Sequence, residues 1–308
     1  MIEIHERPLI SLAAKDDLHT SFNRLVEYGI HAAPVYDEVE IESGLGGRRK
    51  VKQWVGLLDW RDFVHYVIQF FDEGDKSARD IAKNHPLLPI VEDASLLSVL
   101  AGFGQQGVRR RPVVAKDDQG ERILTIVSQL DVVRWLSRHH KQLSPAFSNI
   151  TIQNVVEKEQ TDPRFSKLRQ VCNVMKDTMM ADVLRLLDQS NLNGVSVVDH
   201  VGKLVANISV SDLQYVVERN LDNLFMTVEH FLQRVPRRPL ITCPPTATLM
   251  EVIDKLANAG VHRIYVVNRG VLRADEEPMA VITLTDVINA VLLLATHDAT
   301  LASDISAK

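Results

Sequence analysis

Apolar and polar positions in the last quarter of the chain change their period twice. Leu249, Val252, Ile253, Leu256 and Ala257 follow the i, i+3, i+4, i+7 spacing of an amphipathic helix. Gly260 can end that helix, because glycine takes the left-handed conformation without steric cost. A strand follows at about His262 to Val267, then a loop through Gly270, and then a second strand at Met279 to Leu284. A helix runs from Thr285 toward Leu294, and a short strand at Leu240 to Thr242 leads into the whole. The predicted unit is helix, strand, strand, helix, which makes the fold α/β in the mixed, α+β sense.

The same order fits Leu18 to Ile68. There Leu18, Phe22, Leu25 and Val26 form the helical stripe, AAPVY the first core strand and VKQWVGLL the second. It fits again from Leu96 to Leu136 and from Met180 to Val217. Each second strand enters its helix through a short polar motif ending in aspartate: DWRD (Asp59–Asp62), SQLD (Ser128–Asp131), SVSD (Ser209–Asp212) and TLTD (Thr283–Asp286). The four terminal aspartates lie 69, 81 and 74 residues apart, so the chain is an internal repeat. Two short helices cannot cover the apolar sheet face of so small a unit, and four units therefore suggest two pairs. The polar stretch Lys141 to Lys167 marks the boundary of the halves, although part of it can still be helical. The predicted organisation is repeat 1 at 1–72, repeat 2 at 78–140, a linker at 141–167, repeat 3 at 168–221, repeat 4 at 236–297 and a tail at 298–308.

Composition narrows the function. An apolar fraction of 45% with 24% charged residues is that of a globular protein. The formal net charge of −5 argues against a nucleic-acid surface, which needs a clustered basic excess. Local basic clusters must then serve something small. The two cysteines, Cys172 and Cys243, offer neither a disulfide framework nor a zinc spacing, and no metal site is predicted. The longest apolar run, near Ile288 to Ala295, is far short of the ~20 residues a membrane crossing needs. MIEIHERPLI lacks the form of a signal peptide. The expected setting is cytoplasmic, with the nucleus also open, and without membrane or nucleic acid.

Two motifs carry candidate chemistry, and each has a plain structural reading beside it. A Ser or Thr three residues before an acid at a strand-to-helix junction is a capping box that satisfies free backbone amides. Yet an aspartate recurs in all four copies, and a carboxylate there can accept both hydroxyls of a ribose. The basic pairs His262-Arg263 and Arg109-Arg110, with His31 in the first copy, open the first core strand of their units. Taken singly they are solvated strand ends, but pairing the units brings them toward one another. Converging like charges repel unless an anion sits among them, and arginine is the usual planar partner of phosphate.

Three other stretches carry less. GFGQQG (Gly102–Gly107) follows a helix and precedes a strand, the reverse of the dinucleotide-binding order. GLGGRRK (Gly44–Lys50) lacks the spacing of a phosphate-binding loop and reads as a flexible surface loop. His139 and His140 lie at a helix end, where cationic groups are favourable.

A helix-strand-strand-helix unit repeated four times, with HR or RR opening the first core strand and [ST]xxD opening the last helix, resembles the cystathionine beta-synthase (CBS) domain family. Nearly the whole chain is covered. Within that family it is most similar to the gamma regulatory subunits of AMP-activated protein kinase, through GIHAAPVYD with VGLLDWRDFV and GVHRIYVVN with ITLTDVINAV. The resemblance implies two tandem pairs (Bateman modules) in a pseudo-symmetric disc that binds AMP, ADP or ATP as regulatory ligands. It implies ribose contacts from Asp62, Asp131, Asp212 and Asp286, with Ser128, Ser209 and Thr283 beside them. It implies phosphate contacts from His31, Arg109, Arg110, His262 and Arg263, and an adenine cleft near Thr242. The implied partners are a kinase catalytic alpha subunit and a beta scaffold subunit in a heterotrimer.

The chain departs from that pattern at several positions. His31 stands where gamma subunits usually have arginine. Asn193 and Gly194 replace a basic pair in repeat 3. Asp59 takes the place of the hydroxyl in repeat 1, where a second carboxylate is expected to repel an anion. Asp131 is a position where animal-type gamma subunits need not carry aspartate, and two or three occupied sites are expected. No nucleophile, base and orienting group appear together, so the expectation is a non-catalytic regulator. A free-standing CBS ligand sensor, homodimeric and without a kinase, is the alternative; an interaction scaffold with vestigial clefts is another.

Overall fold

The structure, a computed structural model, describes residues 8–42, 48–73, 76–105, 108–117, 120–140, 149–158, 162–163, 168, 171–217, 221–236, 238–268 and 277–297. The predicted tail at 298–308 and most of the predicted linker lie outside the described residues, as do Gly44 to Gly47, Gln106 and Gly107.

The unit read from the sequence is present four times. Unit 1 comprises β1 (Leu12–Ala13), α1 (Leu18–Glu27), β2 (Ala32–Glu42), β3 (Arg48–Asp59) and α2 (Trp60–Glu73). A short helix α3 (Ala78–Ala82) precedes unit 2, which comprises β4 (Ile90–Val91), α4 (Leu96–Gln105), β5 (Arg110–Asp117), β6 (Gly120–Ser128) and α5 (Gln129–His139). After α6 (Ile152–Glu157) comes unit 3: β7 (Asn173–Met175), α7 (Met180–Gln189), β8 (Gly194–Val198), β9 (Leu204–Ser209), a 3-10 turn at Val210–Asp212 and α8 (Leu213–Val217). After α9 (Val228–Arg234) comes unit 4: β10 (Thr242–Cys243), α10 (Leu249–Ala259), β11 (Arg263–Val267), β12 (Pro278–Thr283) and α11 (Leu284–His297).

Every unit builds the same three-stranded sheet, its lead-in strand parallel to the middle strand and its third strand antiparallel to it. The third strand carries one extra residue at an equivalent place each time, Val55, Leu124, Val205 and Met279, opposite Val35/Tyr36, Val113/Val114, Val197/Val198 and Val266/Val267 of the middle strand. Such a bulge bends the third strand and sharpens its twist there. The turn after the first helix needs left-handed backbone, supplied by Gly260 at φ 64° in unit 4 and by Asn191 at φ 54° in unit 3. Asparagine tolerates that region better than other side chains do.

One expectation changes. Arg48 to Lys50 of the GLGGRRK stretch belong to β3 rather than to a loop, and Glu38 to Glu42 opposite them belong to β2. The pairing explains it: Glu38 lies opposite Lys52, Glu40 opposite Lys50 and Glu42 opposite Arg48. Opposite charges across an antiparallel pair favour the ladder, so the hairpin extends beyond the sheet as a charged ribbon. The predicted linker contains a true helix, α6, capped by Thr151 and Asn154 and tied to unit 4 by the Ile152 amide donating to Ala247 O at 2.8 Å. His139 and His140 behave as end-of-helix groups, their Nδ1 atoms donating to Trp135 O and Ser137 O at 2.8 Å.

Two large cores hold the molecule together, and each joins units that are not neighbours in sequence. One contains Phe103, Val132 and Leu136 of unit 2 with Leu256, Ile282 and Val291 of unit 4. The other contains Phe22, Leu58 and Phe63 of unit 1 with Leu184, Val195 and Leu213 of unit 3. Helices make these joints: α4 and α5 pack on α10 and α11, and α2 packs on α7. The short helices follow the same rule: α3, although it precedes unit 2, buries Ala78, Ile81 and Ala82 in the core of units 1 and 3. Units 3 and 4 meet through a small sheet-to-sheet cluster of Leu204, Tyr265 and Val267, with the Tyr265 hydroxyl donating to Asn207 Oδ1 at 2.6 Å. Among the described residues no helix is long and apolar enough to cross a membrane.

Candidate functional site

All four motif aspartates cap the helices they introduce. Asp131 Oδ2 accepts from the Ser128 amide at 2.9 Å and the Ser128 hydroxyl at 2.6 Å, while Ser128 Oγ accepts from the Asp131 amide at 3.3 Å. Asp286 repeats this with Thr283 at 2.8, 2.6 and 3.4 Å. Asp212 accepts from the Ser209 amide at 2.7 Å and hydroxyl at 2.8 Å. Asp62 accepts from the Asp59 amide at 2.7 Å, and Asp59, lacking a hydroxyl, accepts instead from the Arg61 amide at 2.8 Å. In every case the cap uses Oδ2 alone. A carboxylate has a second oxygen, so capping a helix leaves Oδ1 for another partner.

What Oδ1 meets differs from unit to unit. Asp62 Oδ1 faces His85 Nε2 at 2.9 Å, and Asp212 Oδ1 faces Arg238 Nη1 at 3.4 Å. Arg134 Nη1 stands 4.0 Å from Asp131 Oδ1, beyond hydrogen-bonding distance. For Asp286 Oδ1 no hydrogen-bond partner exists among the described residues. Burial pushes the Asp286 carboxyl up to about 6, against the opposing pull of the Thr283 hydroxyl and amide. The Asp62 carboxyl is also raised by burial, and its hydrogen bond holds the His85 imidazole above the usual range.

The Asp286 shift makes a stability prediction. Its folded value lies above the unfolded value of 3.8, so the native state binds the extra proton between them and stability falls as pH rises through about 6. On going from pH 7 to pH 5, urea unfolding of the parent should gain about 1 kcal/mol relative to Asp286→Asn. Parallel pH profiles for the two proteins would show that the buried carboxyl does not titrate there.

The basic residues converge. His31, Arg109, Arg110, His262 and Arg263 all line one cavity of ≈ 1060 Å³, with Ser128, Ser209, Asp212 and Thr283 on its wall. The rings of His31 and His262, from units 1 and 4, lie 5.6 Å apart. Burial, then Arg110, depresses His31 to about 4; burial, then His31 and the neighbouring arginines, depresses His262 to about 3. Both imidazoles are therefore neutral near pH 7, and the positive charge of this basic cluster comes from its guanidinium groups. Burial lowers even Arg109, to about 10, which leaves it protonated. Arg111, the third of the run, points elsewhere: it donates to Leu88 O and Pro89 O at 3.0 Å.

Asp59 is expected from the sequence to repel an anion. It stands instead as a counter-ion, with Oδ2 3.7 Å from Arg109 Nη1 and 4.0 Å from Arg110 Nη1. Asn193 and Gly194, in place of a basic pair, also have a reason. A Cβ at Gly194 would lie 2.5 Å from Cζ of Arg263, so the missing side chain makes room for the arginine of unit 4. Asp62, Asp131 and Asp286 are not on the cavity wall; Asp59, Ser128 and Thr283, which open their motifs, are. Thr242 lines a smaller cavity of ≈ 440 Å³ that shares Leu240, Ile241 and Ala259 with the larger one.

Arg238 and His85 escape the repeat pattern altogether. Arg238 lines the large cavity and donates to Ser211 Oγ at 3.0 Å. It lies in PRRP (Pro236–Pro239) between α9 and β10, outside the repeated unit, so comparing the copies could not reveal it. The basic dipeptide between two prolines was the available signal. His85 lies in the connection from α3 to β4 and carries no periodic signal.

Comparison with known proteins agrees with the repeated fold. Residues 232–293 match the CBS domain family. The chain is 27% identical over 245 residues to the SNF1-related protein kinase regulatory subunit gamma-1-like of Arabidopsis thaliana, covering 74% of this chain and 52% of that protein. It is 23% identical over 299 residues to Protein SDS23 of Vanderwaltozyma polyspora, covering 86% of this chain and 54% of that one. The chain thus spans about half the length of the curated relatives it matches. A solved structure from Methanocaldococcus jannaschii, described as a proposed archaeal homologue of g-AMPK, superposes with a TM-score of 0.68 at 15% identity, covering 94% of this chain and 98% of that one. Residues 232–293, the fourth unit with the helix before it, thus match a CBS domain, and the three units before it repeat the same sheet and helix order.

Proposed function

We propose that the chain is a non-catalytic regulatory subunit that binds adenine nucleotides and biases a partner kinase, as the gamma-like member of a heterotrimer with a catalytic and a scaffold subunit. The observation that carries the reading is the gathering of His31, Arg109, Arg110, His262 and Arg263, from three different units, around one hollow. Arginines crowded in this way repel one another, and a phosphate relieves that repulsion while two neutral imidazoles stand ready to take protons beside it. The four-unit fold and the similarity to a kinase gamma chain support the same conclusion. A nucleotide shifts the partner only as far as it binds one assembled state more tightly than the other.

Calorimetry with AMP, ADP, ATP and S-adenosylmethionine tests the binding. The three phosphorylated ligands should bind the isolated chain, more weakly as salt rises, and the unphosphorylated one should bind least. Affinity capture should recover a kinase catalytic chain. The similarity to SDS23, whose name specifies no kinase, favours a second reading as a free-standing CBS ligand sensor. Nucleotide binding without recovery of a kinase would support that one. Failure of all four ligands to bind at millimolar concentration would leave neither standing.

A further inference from the structure

The four motif carboxylates divide into two kinds. Asp62 and Asp212 have their outer oxygens taken by side chains of this same chain; Asp131 and Asp286 do not. The division follows the cores, since the closed pair belongs to units 1 and 3 and the open pair to units 2 and 4.

The closing groups are built in rather than incidental. His85 follows α3, its amide donates to Ala82 O at 2.9 Å, and its carbonyl accepts from the Leu57 amide at 2.9 Å. That second bond fastens the histidine to β3, two residues before Asp59. Gly56 lets the segment approach so closely: a Cβ there would lie 2.7 Å from His85 O. Arg238 reaches every polar group at the start of the unit 3 helix, with Ser211 Oγ at 3.0 Å, Ser209 Oγ at 3.5 Å and Asp212 Oδ1 at 3.4 Å. Its guanidinium carbon also sits 5.8 Å from the Tyr215 ring centre.

The open pair looks different. Asp131 has only the distant Arg134, a half-exposed partner of the kind that contributes little and is easily displaced. Asp286 Oδ1 has none among the described residues. The two open motifs are also coupled, because Gln129 beside Ser128 donates to Thr285 Oγ1, beside Asp286, at 3.0 Å.

We infer that the chain takes up two nucleotides rather than four, one held by its ribose on Asp131 and one on Asp286, with His85 and Arg238 standing as permanent occupants of the other two places. This rests on the nucleotide-binding reading above. Equilibrium dialysis of the full chain against saturating labelled AMP counts the sites. Two per chain are expected. Asp131→Asn and Asp286→Asn should each leave one, while Asp62→Asn and Asp212→Asn should leave two; asparagine keeps one oxygen for the helix cap, so the fold survives. His85→Gln and Arg238→Gln, which leave the Oδ2 caps of Asp62 and Asp212 in place, should each raise the count to three. A parent count other than two, a loss on Asp62→Asn or Asp212→Asn, or a fall on Arg238→Gln would overturn the inference while leaving nucleotide binding itself intact. A parent that binds no AMP would remove the reading beneath it.

Discussion

Arg263→Ala should weaken AMP binding by about 1.5–3 kcal/mol, the usual worth of a hydrogen bond to a charged group, and leave the melting temperature nearly unchanged. Arg263 opens β11 of unit 4, yet its guanidinium lies against Gly194 at the start of β8 in unit 3. The side chain therefore crosses from one unit to the next, where a phosphate in the shared hollow can meet it. Removing the charge relieves repulsion with Arg109, which offsets the loss of its contact with the Tyr265 hydroxyl. Isothermal calorimetry and a thermal melt on one preparation measure both halves of the prediction. An unchanged affinity would place the phosphate somewhere other than among these residues.

Phe103→Ala should cost about 3–5 kcal/mol of unfolding free energy, the range for emptying a fully buried aromatic position. Phe103 is 0% exposed, near the end of α4, in the core that units 2 and 4 share. Because α4 packs on α11, the cavity should loosen unit 4 as much as unit 2, although the two are separated in sequence by all of unit 3. Urea unfolding followed by two probes, one in each unit, should shift together. Val205→Ala, at a position 42% exposed, serves as the control and should change stability by no more than about 0.5 kcal/mol. If only the unit 2 probe moves, the shared core is not the cooperative element that its composition suggests.

Much of this was legible in the residues. The spacing of Leu249 to Ala257 placed α10, and the four recurring aspartates placed the helix starts, because both signals act over a few neighbouring residues. The contest between capping and ligand binding at those aspartates was legible too, but it was posed as a choice. In the structure Oδ2 makes the cap and Oδ1 is separate from it, so the cap leaves one carboxylate oxygen outside its own bonds. Other features were illegible for a definite reason. The acid–base ladder from Glu38 to Lys52 lay in the sequence, yet it reads as a polar loop until the two segments are set opposite each other. Asp59 likewise reads as a repelling charge until Arg109 and Arg110, some fifty residues away, are placed beside it.

The sequence by itself determined the repeated unit, the order of its strands and helices, and which side chains stand at each strand mouth, because hydrophobic period, turn residues and caps are local properties of the chain. Only the tertiary structure decided that unit 1 shares its core with unit 3 and unit 2 with unit 4, and that His85 and Arg238 close two of four similar carboxylates. Those outcomes depend on which apolar faces fit together and on side chains meeting across long sequence separations, and no local pattern encodes that geometry.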